Sequence, residues 1–142
     1  MKILFMCVAN SARSQLADGI AKKLFGAKAN IQSAGSKPTH VNPFAIRVLD
    51  EIGIDITTHT SKRVDDLDPD FVNTLDYVIT LCAEEVCPVV ISKAKKLHWP
   101  LPDPAGTGSD DEQMTRFRTT RDAIKERLTG FAQEMGISQA RS

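Results

Sequence analysis

The chain has 142 residues, 42% of them hydrophobic and 25% charged, enough to bury about two-thirds of its unfolded surface as one domain without disulfide staples. Its 18 basic and 18 acidic side chains cancel, which argues against a general nucleic-acid or anionic-membrane surface and requires any functional positive charge to be local. No apolar run approaches the ~20 residues of a membrane span, and the opening Met1-Lys2-Ile3-Leu4-Phe5-Met6 is too short for the core of a signal peptide. A cytoplasmic protein is the expectation, and three cysteines in a reducing compartment point to catalytic or metal-binding thiols rather than structural bridges.

The first expected strand, Lys2 to Met6, runs directly into Cys7-Val8-Ala9-Asn10-Ser11-Ala12-Arg13-Ser14. A loop of this length between a strand and a helix can turn successive backbone N–H groups inward, from Val8 through Ala9, Asn10, Ser11 and Ala12 to Arg13. The Arg13 guanidinium can then pair bidentately with two oxygens of a tetrahedral anion, and a helix starting near Ser14 adds its positive end. The same field favours a thiolate at Cys7. A plain small buried residue at a strand end is the alternative for Cys7, and it leaves the Arg-Ser ending between a strand and an amphipathic helix unexplained.

Leu16, Ile20, Leu24 and Phe25 form a one-sided stripe that stops at Gly26, the pattern of a helix packed on a sheet. A second strand is expected at Asn30 to Ala34. A second helix follows from about Asn42 to Ile52, with Asn42 as N-cap, Pro43 at the first helical position and Gly53 as its stop. His59-Thr60-Ser61-Lys62-Arg63 reads as a solvated loop near the rim of the sheet. The third strand is expected at Tyr77 to Leu81 and the fourth at Lys96 to Trp99, with Trp99 a packing residue. Ser109 with Glu112 has the capping-box pattern of a last helix, whose Met114, Phe117, Ile124, Leu128 and Phe131 belong to the core. Only 138–142 looks ready to fray.

Strands alternating with helices define an α/β fold, here a single-domain open parallel four-stranded sheet with helices on both faces, spanning residues 1–142. With strand order 2-1-3-4, Cys7 after the first strand and Cys82 after the third face the same rim, where ligands of such sheets bind. Asp103, between Pro102 and Pro104 after the fourth strand, sits in a stiff loop that can hold a carboxyl over the anion pocket as a general acid. Cys82 and Cys87 are spaced Cys-X4-Cys, which suits a metal half-site or a redox pair. No second Cys or His pair has finger-like spacing, because His40, His59 and His98 are scattered, so redox pairing is the better reading. A helical turn would hold Cα atoms five residues apart at about 8 to 9 Å, beyond the roughly 4.4 to 6.8 Å of a disulfide, so a helical Cys82 to Cys87 segment must unwind on oxidation.

These motifs, with Ser33-Ala34-Gly35, Val41-Asn42-Pro43, Gly53-Ile54-Asp55-Ile56, His59-Thr60-Ser61 and His98-Trp99 leading to Asp103-Pro104-Ala105, resemble the low-molecular-weight protein tyrosine phosphatase family, and within it the arsenate reductases coupled to thioredoxin-type donors. The resemblance covers nearly the whole chain. It implies a Cys7 nucleophile whose sulfur is hydrogen-bonded by Ser14, and an oxyanion such as arsenate or phosphate held by the loop N–H groups and Arg13. It further implies proton donation by Asp103 and a thiol cascade through Cys82 and Cys87. It implies no bound cofactor and an external thiol reductant, either thioredoxin or glutaredoxin with glutathione.

Phosphatases of this family carry tyrosines after the Asp-Pro, where this chain has Ala105 and Gly106, so the aromatic wall for phosphotyrosine is missing. Val8-Ala9 replaces the common Thr-Gly, which predicts strain at Ala9 if that position needs positive φ. Some relatives hold a potassium ion near the loop asparagine, and Asn10, Asp18, Ser33 and Asp65 are the matching candidates here. Two other functions remain open: phosphomonoester hydrolysis through a Cys7 phosphocysteine, and a non-enzymatic thiol sensor or arsenite-binding module.

Overall fold

The computed structural model describes residues 1–83 and 92–136. Strand β1, Lys2–Cys7, lies inside the sheet, and Ile3, Leu4, Phe5 and Met6 are each no more than 1% exposed. Burial on both faces is why this strand reads as an unbroken apolar run. It pairs in parallel with β2, Asn30–Gly35, on one side and with β3, Tyr77–Thr80, on the other. Strand β4, Lys95–His98, adds to β3, giving the expected order β2-β1-β3-β4. β1, β2 and β3 start where the sequence reading expects and end one residue away, while β4 is shifted by one residue at both ends, because terminal hydrogen bonds depend on the neighbouring strand.

Alternation along β1 divides the core in two. Ile3 and Phe5 join the larger cluster with Leu16, Ile20, Phe117, Ile124 and Leu128 of helices α1, Arg13–Phe25, and α4, Asp110–Glu134. Leu4 and Met6 face the opposite side and pack with Val78, Leu67 and Phe71. Helix α2, Pro43–Asp50, leans on α1 and α4; Asn42 caps it by accepting from the Phe44 N–H at 2.9 Å, and Gly53 takes φ +78° just beyond. The Ser109–Glu112 capping box of α4 is formed in both directions.

The sequence reading expects helices on both faces of the sheet but locates none between Gly53 and Tyr77, the stretch that covers the Leu4/Met6 face. Helix α3, Pro69–Asn73, supplies one, capped by Asp68 accepting from Asp70 N–H, with Phe71 as its buried residue. Five residues are too few for a helical stripe, so only the Asp-Pro cap announces it. A 3-10 turn, Val64–Asp66, precedes it. Among the described residues no helix is long and apolar enough to cross a membrane. The expected fraying of 138–142 lies outside the described residues.

Candidate active site

The loop after β1 turns its carbonyls away from the space it encloses. Val8 O accepts from Lys37 N–H at 2.9 Å, Ala9 O from Thr39 N–H at 3.1 Å, Ser11 O from Asn42 N–H at 3.0 Å and Ala12 O from Leu16 N–H at 2.9 Å. Asn10 O accepts from Ser61 Oγ at 2.6 Å and Gln15 Nε2 at 3.2 Å. A trans peptide points its C=O and the following N–H in opposite directions. Five carbonyls held outward therefore aim the N–H groups of Ala9, Asn10, Ser11, Ala12 and Arg13 inward, at the open end of α1. This is the geometry that holds a tetrahedral oxyanion.

Two features keep the loop in this shape. Gly35 pairs with Cys7 across the β1–β2 ladder, and a Cβ there would stand 2.4 Å from Val8 O and 2.9 Å from Asn10 N. The left-handed residue is Asn10, at φ 48°, and among the described residues no other non-glycine has positive φ. The strain expected at Ala9 is thus displaced by one position, to a residue type that tolerates it. Asn10 is completely buried, and its Oδ1 accepts from Lys62 N–H at 3.0 Å and Gln15 Nε2 at 3.1 Å.

Cys7 is a free thiol, 2% exposed, with Ser14 Oγ 2.8 Å from its sulfur. Arg13 is 4% exposed and spans the rim: Nη1 donates to Leu101 O at 2.9 Å and lies 3.5 Å from Leu81 O, while Nη2 is 3.9 Å from Asp103 Oδ2. Asp103 is half exposed, and its Oδ1 accepts from Ala105 N–H at 3.0 Å, a turn that fixes the carboxyl over its own loop. Leu81 N–H in turn donates to Met6 O at 3.0 Å. The structure therefore brings Cys7, Arg13, Ser14 and Asp103 together, with Cys82 next to Leu81 at the end of the adjacent strand. Cys82 is buried and disulfide-bonded. Cys87, and with it the question of a helical turn from Cys82, lies outside the described residues.

The His59 to Arg63 segment corrects the sequence reading. Expected as a solvated loop, it is packed against the back of the cradle, where Lys62 N–H donates to Asn10 Oδ1, Lys62 O accepts from Gly35 N–H, and Ser61 Oγ donates to Asn10 O. Burial holds the Lys62 amine below the ordinary lysine range, against the opposite pull of Asp18. Burial likewise holds His59 below its usual value. Its Nδ1 stands 3.1 Å from Gln15 Oε1, and because Gln15 Nε2 is the group that donates to Asn10 and Thr60 O, Oε1 must accept and Nδ1 carries the proton. Sequence reasoning missed Gln15 and His59 as supports of the cradle; His59-Thr60-Ser61 was the signal.

The potassium candidates do not form a fitting set. Ser33 Oγ donates to Asp18 Oδ2 at 2.8 Å, Lys22 Nζ forms an ion pair with Oδ1 at 2.8 Å, and Asn10 Oδ1 is already taken by two N–H donors. Asp65 is exposed on the 3-10 turn and shares no hydrogen bond with the other three. An ammonium of the chain neutralises Asp18, the buried carboxylate among these candidates. Among the described residues no group of three His, Cys, Asp or Glu side chains is placed to hold a metal.

The site thus sets a cysteine in an N–H-lined loop, an arginine across its mouth and an Asp-Pro loop beside it, at one rim of a four-stranded parallel sheet. The model of the low molecular weight phosphotyrosine protein phosphatase family matches residues 2–140. An arsenate reductase of Halalkalibacterium halodurans is 42% identical over 134 residues, 92% of this chain and 94% of that protein. A solved arsenate reductase in its phosphate-binding state superposes with TM-score 0.79 at 34% identity, covering 96% of this chain and 98% of the other. A thioredoxin-dependent arsenate reductase of Corynebacterium glutamicum does so with TM-score 0.66 at 29% identity, over 94% of this chain and 62% of that one. The chain belongs to the low molecular weight phosphotyrosine protein phosphatase family, among its arsenate reductases.

Proposed function

We propose that this chain reduces arsenate to arsenite with its own thiols and is regenerated by a protein dithiol of the thioredoxin type. The observation that carries the reading is a free cysteine in the cradle next to a disulfide-bonded cysteine at the end of the adjacent strand. A hydrolase needs the first and has no use for the second. The thioredoxin-dependent relative supports the choice of donor.

Arsenate enters the cradle, its oxygens held by the loop N–H groups and the Arg13 fork. Cys7 thiolate attacks arsenic, an S–As bond forms, and one oxygen leaves as water after protonation by Asp103. Cys82 thiolate then attacks the Cys7 sulfur. The S–As bond breaks with its electron pair going to arsenic, which departs as arsenite, while Cys7 and Cys82 are oxidised to a disulfide. Cys87 attacks Cys82, frees Cys7 and leaves a Cys82–Cys87 disulfide for the external dithiol to reduce. Two electrons pass from thiols to arsenic, with no bound cofactor.

Phosphate has the shape and charge of arsenate, so slow phosphomonoester hydrolysis through a Cys7 phosphocysteine is expected at the same cradle. The missing aromatic wall at Ala105 and Gly106 weakens any preference for aryl esters. The discriminating experiment replaces each thiol by serine in turn. Thioredoxin-driven arsenate turnover should be lost in Cys7→Ser, Cys82→Ser and Cys87→Ser alike, whereas hydrolysis of p-nitrophenyl phosphate should be lost only in Cys7→Ser. Arsenate turnover that survives Cys82→Ser overturns the cascade.

A further inference from the structure

Strand β4 forms one edge of the sheet, and among the described residues it pairs only with β3. Lys95 N–H donates to Asp76 O at 3.0 Å and Trp99 N–H to Thr80 O at 2.8 Å. Alternation then sends the N–H and C=O groups of Lys96 and His98 to the outer side of the sheet, which is the template on which another extended chain can add. Beside this edge, between β4 and the second half of α4, runs an open groove of about 740 Å³ lined by Tyr77, Leu97, Trp99, Phe131 and Met135. Met135, at 40%, is the exposed large hydrophobic residue among those described.

Charge says what can occupy this edge. Lys93, Lys95 and Lys96 are all exposed on or beside β4, and Arg127 stands over the Trp99 ring, 5.2 Å from its centroid. Glu126 and Glu134 line the α4 side of the groove, so the cationic strip is the strand edge itself, on a chain with no net charge. The lysines oppose pairing with a second copy of this chain, because like charges would face one another, and favour a strand bearing Asp or Glu. Position says what such a partner can do. His98 is in register with Thr80, two residues before the disulfide-bonded Cys82. A strand added to β4 lies about 4.8 Å further out and ends at the same rim.

We propose that β4 is the docking edge for an acidic, extended segment of the protein dithiol that reduces the Cys82 disulfide. The proposal rests on the reading that a protein, rather than a small thiol, regenerates this disulfide. Backbone pairing at Lys96 and His98 supplies the register, the groove takes alternate apolar side chains of the segment, and the lysines accelerate encounter.

The test measures reduction of the oxidised protein by titrating the thiols released, so it needs no arsenate turnover. Two reductants are compared, an acidic thioredoxin and dithiothreitol, on wild type, on Lys95→Glu/Lys96→Glu, and on Lys96→Pro. The last removes one outward N–H and leaves the ladder to β3 intact. The expected result is a fall of about tenfold or more in the thioredoxin rate constant for both variants, with the dithiothreitol rate within about twofold of wild type. The wild-type thioredoxin rate should also fall with added salt, and the charge-reversed variant should lose that dependence. Unchanged thioredoxin rates overturn the proposal, as does equal slowing with both reductants, which places the effect in the disulfide itself. Concentration-dependent dimerisation of the wild type that Lys96→Pro abolishes would assign the edge to a second copy and overturn it too. Failure of the arsenate chemistry is a separate result, read in the cysteine variants.

Discussion

The hydroxyl of Ser14 stands 2.8 Å from the sulfur of Cys7, and the direction of that hydrogen bond is set by Asn10. The backbone N–H of Lys62 can only donate, so the amide oxygen of Asn10 must face it, 3.0 Å away. That leaves Asn10 Nδ2 donating to Ser14 Oγ at 2.8 Å. With its oxygen serving as acceptor there, Ser14 has its single proton available for the sulfur. A hydrogen bond to a charged group is worth about 1.5–3 kcal/mol, and 1.4 kcal/mol is about tenfold. Ser14→Ala should therefore slow alkylation of Cys7 by iodoacetamide at neutral pH by about tenfold or more, read by mass spectrometry of the labelled cysteine in the oxidised protein. An unchanged rate would remove Ser14 from the account.

Gly35 is the second support. Its missing side chain leaves room for Val8 O and Asn10 N, so Gly35→Ala must push the loop forward or open the β1–β2 ladder. Overpacking of this kind costs about 1–3 kcal/mol. The expected outcome is a lower urea midpoint together with loss of phosphate binding measured calorimetrically. Stability lost with phosphate affinity retained would mean that the cradle tolerates the shift.

A pH effect on stability is expected far from the site. The hydrogen bond from Arg118 is the largest influence holding the Glu51 carboxyl at about 2, below its ordinary 4.5, with Arg121 adding to it. Arg118 Nη2 and Arg121 Nη1 approach the two carboxylate oxygens at 2.7 and 2.8 Å. Between these two values the unfolded chain binds the proton and the folded one does not, so unfolding is disfavoured as pH rises. Glu51 thus contributes stability that is present above 4.5 and lost as pH falls toward about 2. Urea midpoints followed across that window should fall more steeply for wild type than for Glu51→Gln. Parallel profiles would contradict the assignment.

Much of the fold and the front of the site is legible in the sequence because each rests on local chemistry. The Asn42-Pro43 and Ser109–Glu112 caps form as their residue types dictate, and the apolar run before Cys7 is a strand covered on both faces. Cys7, Arg13 and Asp103 meet because parallel strands deliver their ends to one rim. What escaped is long-range support. Nothing local tells that Lys62 closes on Asn10 across 52 positions or that Gln15 bridges to His59. These depend on where an irregular segment lands, and hydrophobic periodicity carries no information about that. The loop strain likewise fell on Asn10 rather than Ala9, since the position that turns is decided by the contacts of Gly35 and Lys62.

The most direct measurement is a single turnover without reductant. Fully reduced protein mixed with excess arsenate should release one arsenite per chain and lose two free thiols, with peptide mapping finding the new disulfide between Cys82 and Cys87 and Cys7 again free. Arsenate left unreduced while all three thiols persist, in protein that still hydrolyses p-nitrophenyl phosphate, would contradict the account and make this chain a hydrolase.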